Sequence, residues 1–342
     1  SFLRPSPRAS TIRRFLLHIL SQFVQKVIEI SRFSCYDEEN RRVPERGIFI
    51  MQVKTIPLWQ DGELQEFARV SPGGKTEPPT LTTYLLDGVR PRGAVIICPG
   101  GGYAYATPRE GEPVALQFAA AGFHAFVLHY RCAPAVYPAP QLDLTRAICL
   151  LRDRAEEWQL NPEQIAVCGF SAGGHLAASL GICWNAPELQ QIAGMAPGKN
   201  RPNAMILGYP VLDDEGPQPG GRFTLQRLAG GEATQEQIRH FSLIHQVNEQ
   251  TAPAFLWHTQ SDEAVSPQET LRLALALHEH RVPAELHWFP DGPHGLSLAT
   301  SEMNCEGDPH TAHWMELCVE WLRARFGVDP FRTDRPNVVT VR

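Results

Sequence analysis

The sequence predicts an α/β fold: a mostly parallel, doubly wound sheet with helices on both faces. Three observations predict it. From Leu81 onward, short apolar runs rich in β-branched residues alternate with longer helical stretches. Most of the short runs are continuously apolar, as strands buried on both faces are. Strand–helix alternation of this kind winds into a covered sheet through right-handed crossovers.

Taken in order, the expected strands are 80–85, 94–98, 125–130, 165–168, 204–207, 254–258 and 285–289. Between them lie the expected helices. A helix over 113–121 is stopped by Gly122, which can take the left-handed cap. A helix over 143–158 precedes the turn signal Asn161-Pro162. The stretch 172–183 is rich in small helix formers, and 267–280 opens on Pro267 with an apolar face of Leu271, Leu275 and His278. The last helix, 311–326, ends at Gly327. Pro and Gly cluster at 71–79, 197–202 and 214–221, which reads as loop, and 213–245 is expected to form a small cap. No internal repeat or low-complexity tract interrupts the pattern.

The chain has 342 residues, is 43% hydrophobic and 20% charged, and carries a formal net charge of −6. That composition suits a globular chain with a sizeable core. Its mild acidity argues against a general nucleic-acid binder. The 8 cysteines form no C-x-x-C pair, so a zinc ribbon or redox motif is not expected. They read as buried free thiols of a reducing compartment, and a cytoplasmic location is the expectation. No apolar run has the length of a membrane span.

The first fifty residues differ from the rest. Residues 1–33 carry Arg4, Arg8, Arg13, Arg14, Lys26 and Arg32 against Glu29 alone, and 11–30 could form a basic amphipathic helix. A transit peptide and a membrane-surface helix both fit that pattern. The favoured reading is an upstream extension outside the natural protein. Met51 opens an ordinary domain start, and Glu45-Arg46-Gly47 could be encoded by a purine-rich ribosome-binding sequence. The expected organisation is an extension over 1–50, a catalytic domain over 51–327 and a tail over 328–342.

The chemistry centres on Gly169-Phe170-Ser171-Ala172-Gly173. The strand before it and the helix after it provide the strand–turn–helix setting of a nucleophile elbow. Flanking glycines allow the sharp turn, the serine hydroxyl is expected to stand exposed above the sheet, and the N–H of Ala172 can face a developing oxyanion. Serine needs a base, and the base an orienting group. In α/β-hydrolases the chain order is Ser, then Asp or Glu, then His. Asp262, after the strand 254–258, and His294, after 285–289, fit both order and position. Glu263 is the runner-up acid, and Asp291 shares the histidine's own loop. His258 and His287 fall inside expected strands. His310 and His313, with Glu306, lack a ligand motif, so no metal is expected.

Pro99-Gly100-Gly101-Gly102-Tyr103 follows the strand 94–98 directly. Such a glycine run can aim backbone N–H groups at an anion. It lacks the signatures of a P-loop or a dinucleotide site. Beside a serine elbow, it would complete an oxyanion hole from the N–H groups of Gly101, Gly102 and Ala172. The expected chemistry is therefore an acyl-enzyme mechanism without a cofactor. Tyr103, Tyr105, Trp184 and Trp257 could stack on sugars or fill core and loop.

These residues resemble the esterase/lipase branch of the α/β-hydrolases, and most of all the bacterial acetylxylan esterase-like group related to bifunctional feruloyl/acetylxylan esterases. The resemblance runs from about Ala94 to Phe326. Besides the two glycine motifs it rests on Leu128-His129-Tyr130-Arg131, on Tyr137-Pro138-Ala139-Pro140 with Asp143, and on Phe289-Pro290-Asp291-Gly292-Pro293-His294-Gly295. It maps the triad onto Ser171, Asp262 and His294. Pro99 departs from the hormone-sensitive-lipase-like pattern, which has His before the glycines. The resemblance implies short acyl esters, with acetyl groups on xylan-type oligosaccharides as the expected substrate. General carboxylesterases and kynurenine formamidase-like amidases are alternatives within related sequences. The expected partner is a small-molecule or oligosaccharide ester, with no nucleic acid and no membrane; homo-oligomer formation is left open.

Overall fold

Strands at the centre of one sheet account for the continuously apolar runs. In chain order the strands of the sheet are β1 (Met51–Pro57), β2 (Thr80–Leu86), β3 (Arg92–Cys98), β4 (His124–His129), β5 (Leu160–Phe170), β6 (Ala204–Gly208), β7 (Ala254–Thr259) and β8 (Ala284–Phe289). They lie side by side as β1-β2-β4-β3-β5-β6-β7-β8. β2 is antiparallel to both its neighbours, and every other pair is parallel. The computed structural model describes residues 51–60, 63, 77–88, 90–192, 194–301 and 309–328. The basic segment within 1–50, Glu306 and all of the tail beyond Val328 lie outside the described residues.

The α-helices among the described residues are α1 (Glu112–Ala120), α2 (Ala139–Asp153), α3 (Ala172–Cys183), α4 (Pro219–Ala229), α5 (Gln235–Phe241), α6 (Pro267–Glu279) and α7 (Trp314–Phe326). Alternate side chains of each central strand enter different cores, because successive Cβ atoms point to opposite faces. On β3, Ile96 belongs to the same core cluster as Leu142, Leu176 and Leu277, whereas Val95 and Ile97 belong to the cluster of Phe118, Trp314 and Leu322. Helices α2, α3 and α6 thus cover one face, and α1 and α7 the other. This is the doubly wound arrangement of the α/β-hydrolase fold.

The elements depart from expectation in four places. First, β1 is an additional strand, an exposed antiparallel edge without an apolar signature. Second, α2 spans 139–153 instead of 143–158: it starts at Ala139, because the fixed φ of Pro suits a first helical turn. Third, β5 begins at Leu160, so Asn161-Pro162 lies within it. The turn chemistry is still present: Asn161 Oδ1 accepts the N–H of Glu163 at 3.0 Å while the register shifts between Leu160 and Ile165. Fourth, the expected apolar face of α6 points outward: Leu271 and Leu275 are exposed, as is His278, and Leu273 and Leu277 are buried. The stretch expected to form a cap holds α4 and α5.

The fold brings the candidate residues to one end of the sheet. The glycine run follows β3, Ser171 follows β5, Asp262 follows β7 and His294 follows β8. Loops beyond the carboxyl ends of parallel strands are where open α/β sheets build sites.

Candidate active site

Ser171 is the hinge between β5 and α3. Its backbone sits at φ 53° and ψ −121°, a conformation that costs free energy in an L-residue. The turn closes only because glycines flank it. A Cβ on Gly169 would lie 2.0 Å from the carbonyl oxygen of Gly173, and one on Gly173 would lie 2.0 Å from that of Cys98. The side chain is less open than expected, with the residue only 9% exposed. Its hydroxyl is covered because His294 Nε2 sits 2.8 Å from Ser171 Oγ.

His294 reaches across on a loop bent at Gly292 and Gly295, both at positive φ. Its Nδ1 lies 2.7 Å from Asp262 Oδ2. Asp262 is buried, and its other oxygen accepts the backbone N–H groups of Ala264 at 2.9 Å and Val265 at 3.0 Å. Burial alone would raise its proton affinity. Hydrogen bonds from His258, His294 and the Val265 backbone, together with the charge of His294, outweigh burial and hold the carboxyl well below its ordinary range. An ionised Asp262 accepts from Nδ1–H, which leaves the Nε2 lone pair of His294 facing the Ser171 hydroxyl. Glu263 and Asp291, the alternatives for this position, are exposed.

The glycine run folds over the same end. Gly101 and Gly102 take φ values of 127° and 61°. A Cβ on Gly101 would meet the carbonyl oxygen of Tyr105 at 2.1 Å, so this turn requires glycine. The N–H of Gly100 is engaged, donating to Glu110 Oε2 at 2.7 Å. Those of Gly101, Gly102 and Ala172 donate no hydrogen bond among the described residues. Ala172 opens α3, whose dipole adds positive potential there. From the cap stretch, Arg227 on α4 donates to the Gly102 carbonyl at 2.8 Å.

The support beneath these residues was not visible in the sequence. Glu110 is buried, and its Oε1 accepts the hydroxyl of Tyr209 at 2.7 Å. The Tyr209 oxygen accepts in turn from the N–H of Ser297 at 2.8 Å, three residues past His294. Burial raises the proton affinity of Glu110 against the opposing pull of these donors. Tyr209 also packs edge-on against His294, with ring centroids 5.0 Å apart. His258 Nε2 lies 3.0 Å from the same Asp262 oxygen that His294 uses. The signals for these residues were the acid Glu110 within the Arg109-Glu110-Gly111 turn and a histidine four positions before Asp262, after the apolar run 254–257. Both read more readily as turn and core.

The four aromatic residues separate clearly. Trp257 is fully buried and stacks on Trp314 at 5.0 Å. Tyr103 is buried, with its hydroxyl 2.9 Å from Nδ1 of His175, whose Nε2 meets the Phe241 carbonyl at 2.9 Å. Burial holds His175 neutral, its pKa lowered to about 4, and the pair ties the glycine run to α3 and α5. Trp184 donates to the Gln250 carbonyl, away from the site residues. Tyr105 is 62% exposed, beside Gly101. Chemically, the arrangement offers a hydroxyl paired to a base, a base held by a buried anion, and unengaged N–H groups for an oxyanion.

A family model described as BD-FAE matches residues 87–277. The chain is 33% identical over 308 residues to endo-1,4-beta-xylanase B of Butyrivibrio fibrisolvens, covering 86% of this chain and 45% of that protein. It is 28% identical over 213 residues to the acetylxylan esterase of Xylanibacter ruminicola, covering 60% of this chain and 42% of that protein. The chain therefore spans less than half the length of either relative. An acetyl ester-xyloside bifunctional hydrolase from Caldicellulosiruptor lactoaceticus superposes with a TM-score of 0.69 at 34% identity, covering 80% of this chain and 97% of that one. A carboxylesterase from Lactobacillus plantarum superposes with a TM-score of 0.66 at 28% identity, covering 81% of this chain and 98% of that one.

Proposed function

Because this chain belongs to the BD-FAE family and has the α/β-hydrolase fold, we propose that it is a serine esterase that removes short acyl groups, chiefly acetyl, from xylan-type oligosaccharides. The observation that carries the reading is the hydrogen-bonded line from Ser171 through His294 to Asp262, laid against the unengaged N–H groups of Gly101, Gly102 and Ala172.

In this reading Ser171 attacks the ester carbonyl as His294 Nε2 takes its proton. Asp262 fixes the imidazole tautomer and stabilises the imidazolium. The glycine and Ala172 N–H groups hold the oxyanion where charge develops. His294 then protonates the leaving sugar hydroxyl, and water, deprotonated by the same ring, releases the acid from Ser171. No step calls for a metal or cofactor. The names of the xylan-directed relatives support the sugar. Tyr105 supports it physically, because an exposed ring beside the oxyanion glycines can stack on a pyranose.

Acetate release from acetylated xylo-oligosaccharides, measured beside p-nitrophenyl acetate and butyrate, tests the substrate. Fast release from the sugar, weakened in Tyr105→Ala mainly through KM, is expected. Turnover of the nitrophenyl esters with none of the sugar would discard the carbohydrate substrate.

A further inference from the structure

We infer that His258 is a positioning residue for catalysis: from inside β7 its Nε2–H clamps the Asp262 oxygen that orients His294, and Thr270 on α6 holds the His258 ring in place. The inference rests on reading Ser171, His294 and Asp262 as the triad.

The geometry is specific. Asp262 Oδ2 is shared, with His294 Nδ1 at 2.7 Å and His258 Nε2 at 3.0 Å. Asp262 Oδ1 takes the two backbone N–H groups of the 264–265 turn. Those four donors fill what an ionised carboxylate can accept. An anionic Oδ2 can face His258 Nε2 only if that nitrogen carries a proton. The other ring nitrogen, Nδ1, then presents a lone pair, and Thr270 Oγ1 lies 2.8 Å from it, placed to donate. Ring, carboxylate and hydroxyl are all buried, so water cannot substitute for a missing partner.

The ring is kept neutral as well as oriented. Burial is the main cause of its lowered proton affinity, against the opposing pull of Asp262. A neutral donor gives Asp262 a hydrogen bond without a full positive charge. Asp262 therefore keeps its net charge for His294, while His258 draws off part of the electron density on the shared oxygen. Two consequences follow. The carboxylate cannot swing away from His294, because its three other acceptor positions are held by His258 of β7 and by the turn that follows, with Thr270 of α6 bracing His258. And the basicity of His294 is set partly by a residue that never meets substrate.

Among the described residues, His294 is met by Ser171 after β5, Asp262 after β7 and Tyr209 just after β6; Glu110, in the turn before α1, acts on it through charge, and Arg109 of that turn lies against Gly295. His258 faces Asp262, Thr270 and the backbone of Val265 directly, with His294 acting across the carboxylate. Replacing His258 thus changes one input to His294 and leaves the others in place.

The test compares His258→Leu, which removes the donor at similar bulk, with His258→Gln, whose amide can restore it. In His258→Leu, kcat should fall about ten-fold with KM little changed, as expected on losing one hydrogen bond to a charged group. The acid limb of the kcat/KM profile should move up by about half a pH unit, because an unshared Asp262 oxygen holds the His294 proton more tightly. His258→Gln should return both towards the parent values. A folded His258→Leu with unchanged kcat and acid limb overturns the inference. Histidine ¹⁵N NMR of the unmodified full chain gives a readout that needs no variant: His258 should be neutral with its proton on Nε2, and an unprotonated Nε2 overturns the inference. Ser171→Ala, run alongside, separates the two levels. If it abolishes turnover while His258→Leu behaves as the parent, only the role of His258 fails; if Ser171→Ala remains active, the triad reading itself fails.

Discussion

Tyr209 donates its phenolic hydrogen to Glu110 at 2.7 Å, and this enclosed pair joins the two loops that the proposed mechanism must hold in register. Glu110 also receives the Gly100 N–H from the glycine run, and the Tyr209 oxygen receives the Ser297 N–H from the loop of His294. Removing the phenol leaves a buried acceptor and a buried donor without partners. Tyr209→Phe should lower stability by about 1–3 kcal/mol and reduce kcat more than it raises KM. Thermal melts with parallel kinetics check both. A variant as stable and as active as the parent would show that the pair holds nothing.

The glycine run beside Ser171 depends on glycine at one particular position. Gly101→Ala places a methyl 2.1 Å from the Tyr105 carbonyl at a φ of 127°, so the loop must move. We expect kcat to fall by about 100- to 1000-fold, the scale of losing an oxyanion donor. The fold should survive, as circular dichroism would show.

Asp262→Asn should be more damaging than its size suggests. An amide cannot accept from the turn N–H groups, from His258 and from His294 all at once, because one of its two ends is itself a donor. The His294 tautomer then loses its anchor. A loss in kcat of about 10⁴-fold is expected, measured on the nitrophenyl ester. Because Asp262 is held well below its ordinary range, its protonation should not limit activity in mildly acid solution.

Stability should fall as pH rises through neutrality, for a reason away from the site. Glu269 on α6 is buried where it accepts the N–H groups of Leu212 and Asp213, and burial, with Asp213 nearby, pushes its pKa up from 4.5 to about 8 despite Arg272. A carboxyl with raised affinity in the folded state holds its proton there and not in the unfolded chain. Its contribution is complete below about pH 4.5 and is lost as pH approaches 8. The slope from this one group reaches up to about 1.4 kcal/mol per pH unit. Glu269→Gln should flatten that part of the profile, and urea unfolding from pH 5 to 9 would reveal it.

What the sequence made legible was local. Ser171 stood out because a sharp turn between strand and helix needs Gly169 and Gly173, and His294 because its loop follows the last strand. Asp262 was found by order along the chain. His258 was not, since a histidine in a buried strand looks the same whether it fills space or holds a carboxylate; only the turn that folds Asp262 back onto it decides. The rotation of α6 was misjudged for a different reason. Leucines at 271, 273, 275 and 277 recur every second residue, so helical periodicity cannot choose among faces. The choice is made by polar contacts, Glu269 to the backbone after β6 and Thr270 to His258, which turn Leu273 and Leu277 inward. β1 was missed because an exposed antiparallel edge strand has no apolar run to reveal it.

The central claim is that Ser171 is the nucleophile. The most direct measurement is the intact mass of the protein after reaction with a fluorophosphonate, with the adduct located by peptide mapping and nitrophenyl acetate turnover followed in the same samples. The account predicts one adduct, on Ser171, formed in step with loss of turnover, and neither label nor burst in Ser171→Ala. Labelling elsewhere, or a Ser171→Ala variant that still turns over the ester at near the parent rate, would contradict it.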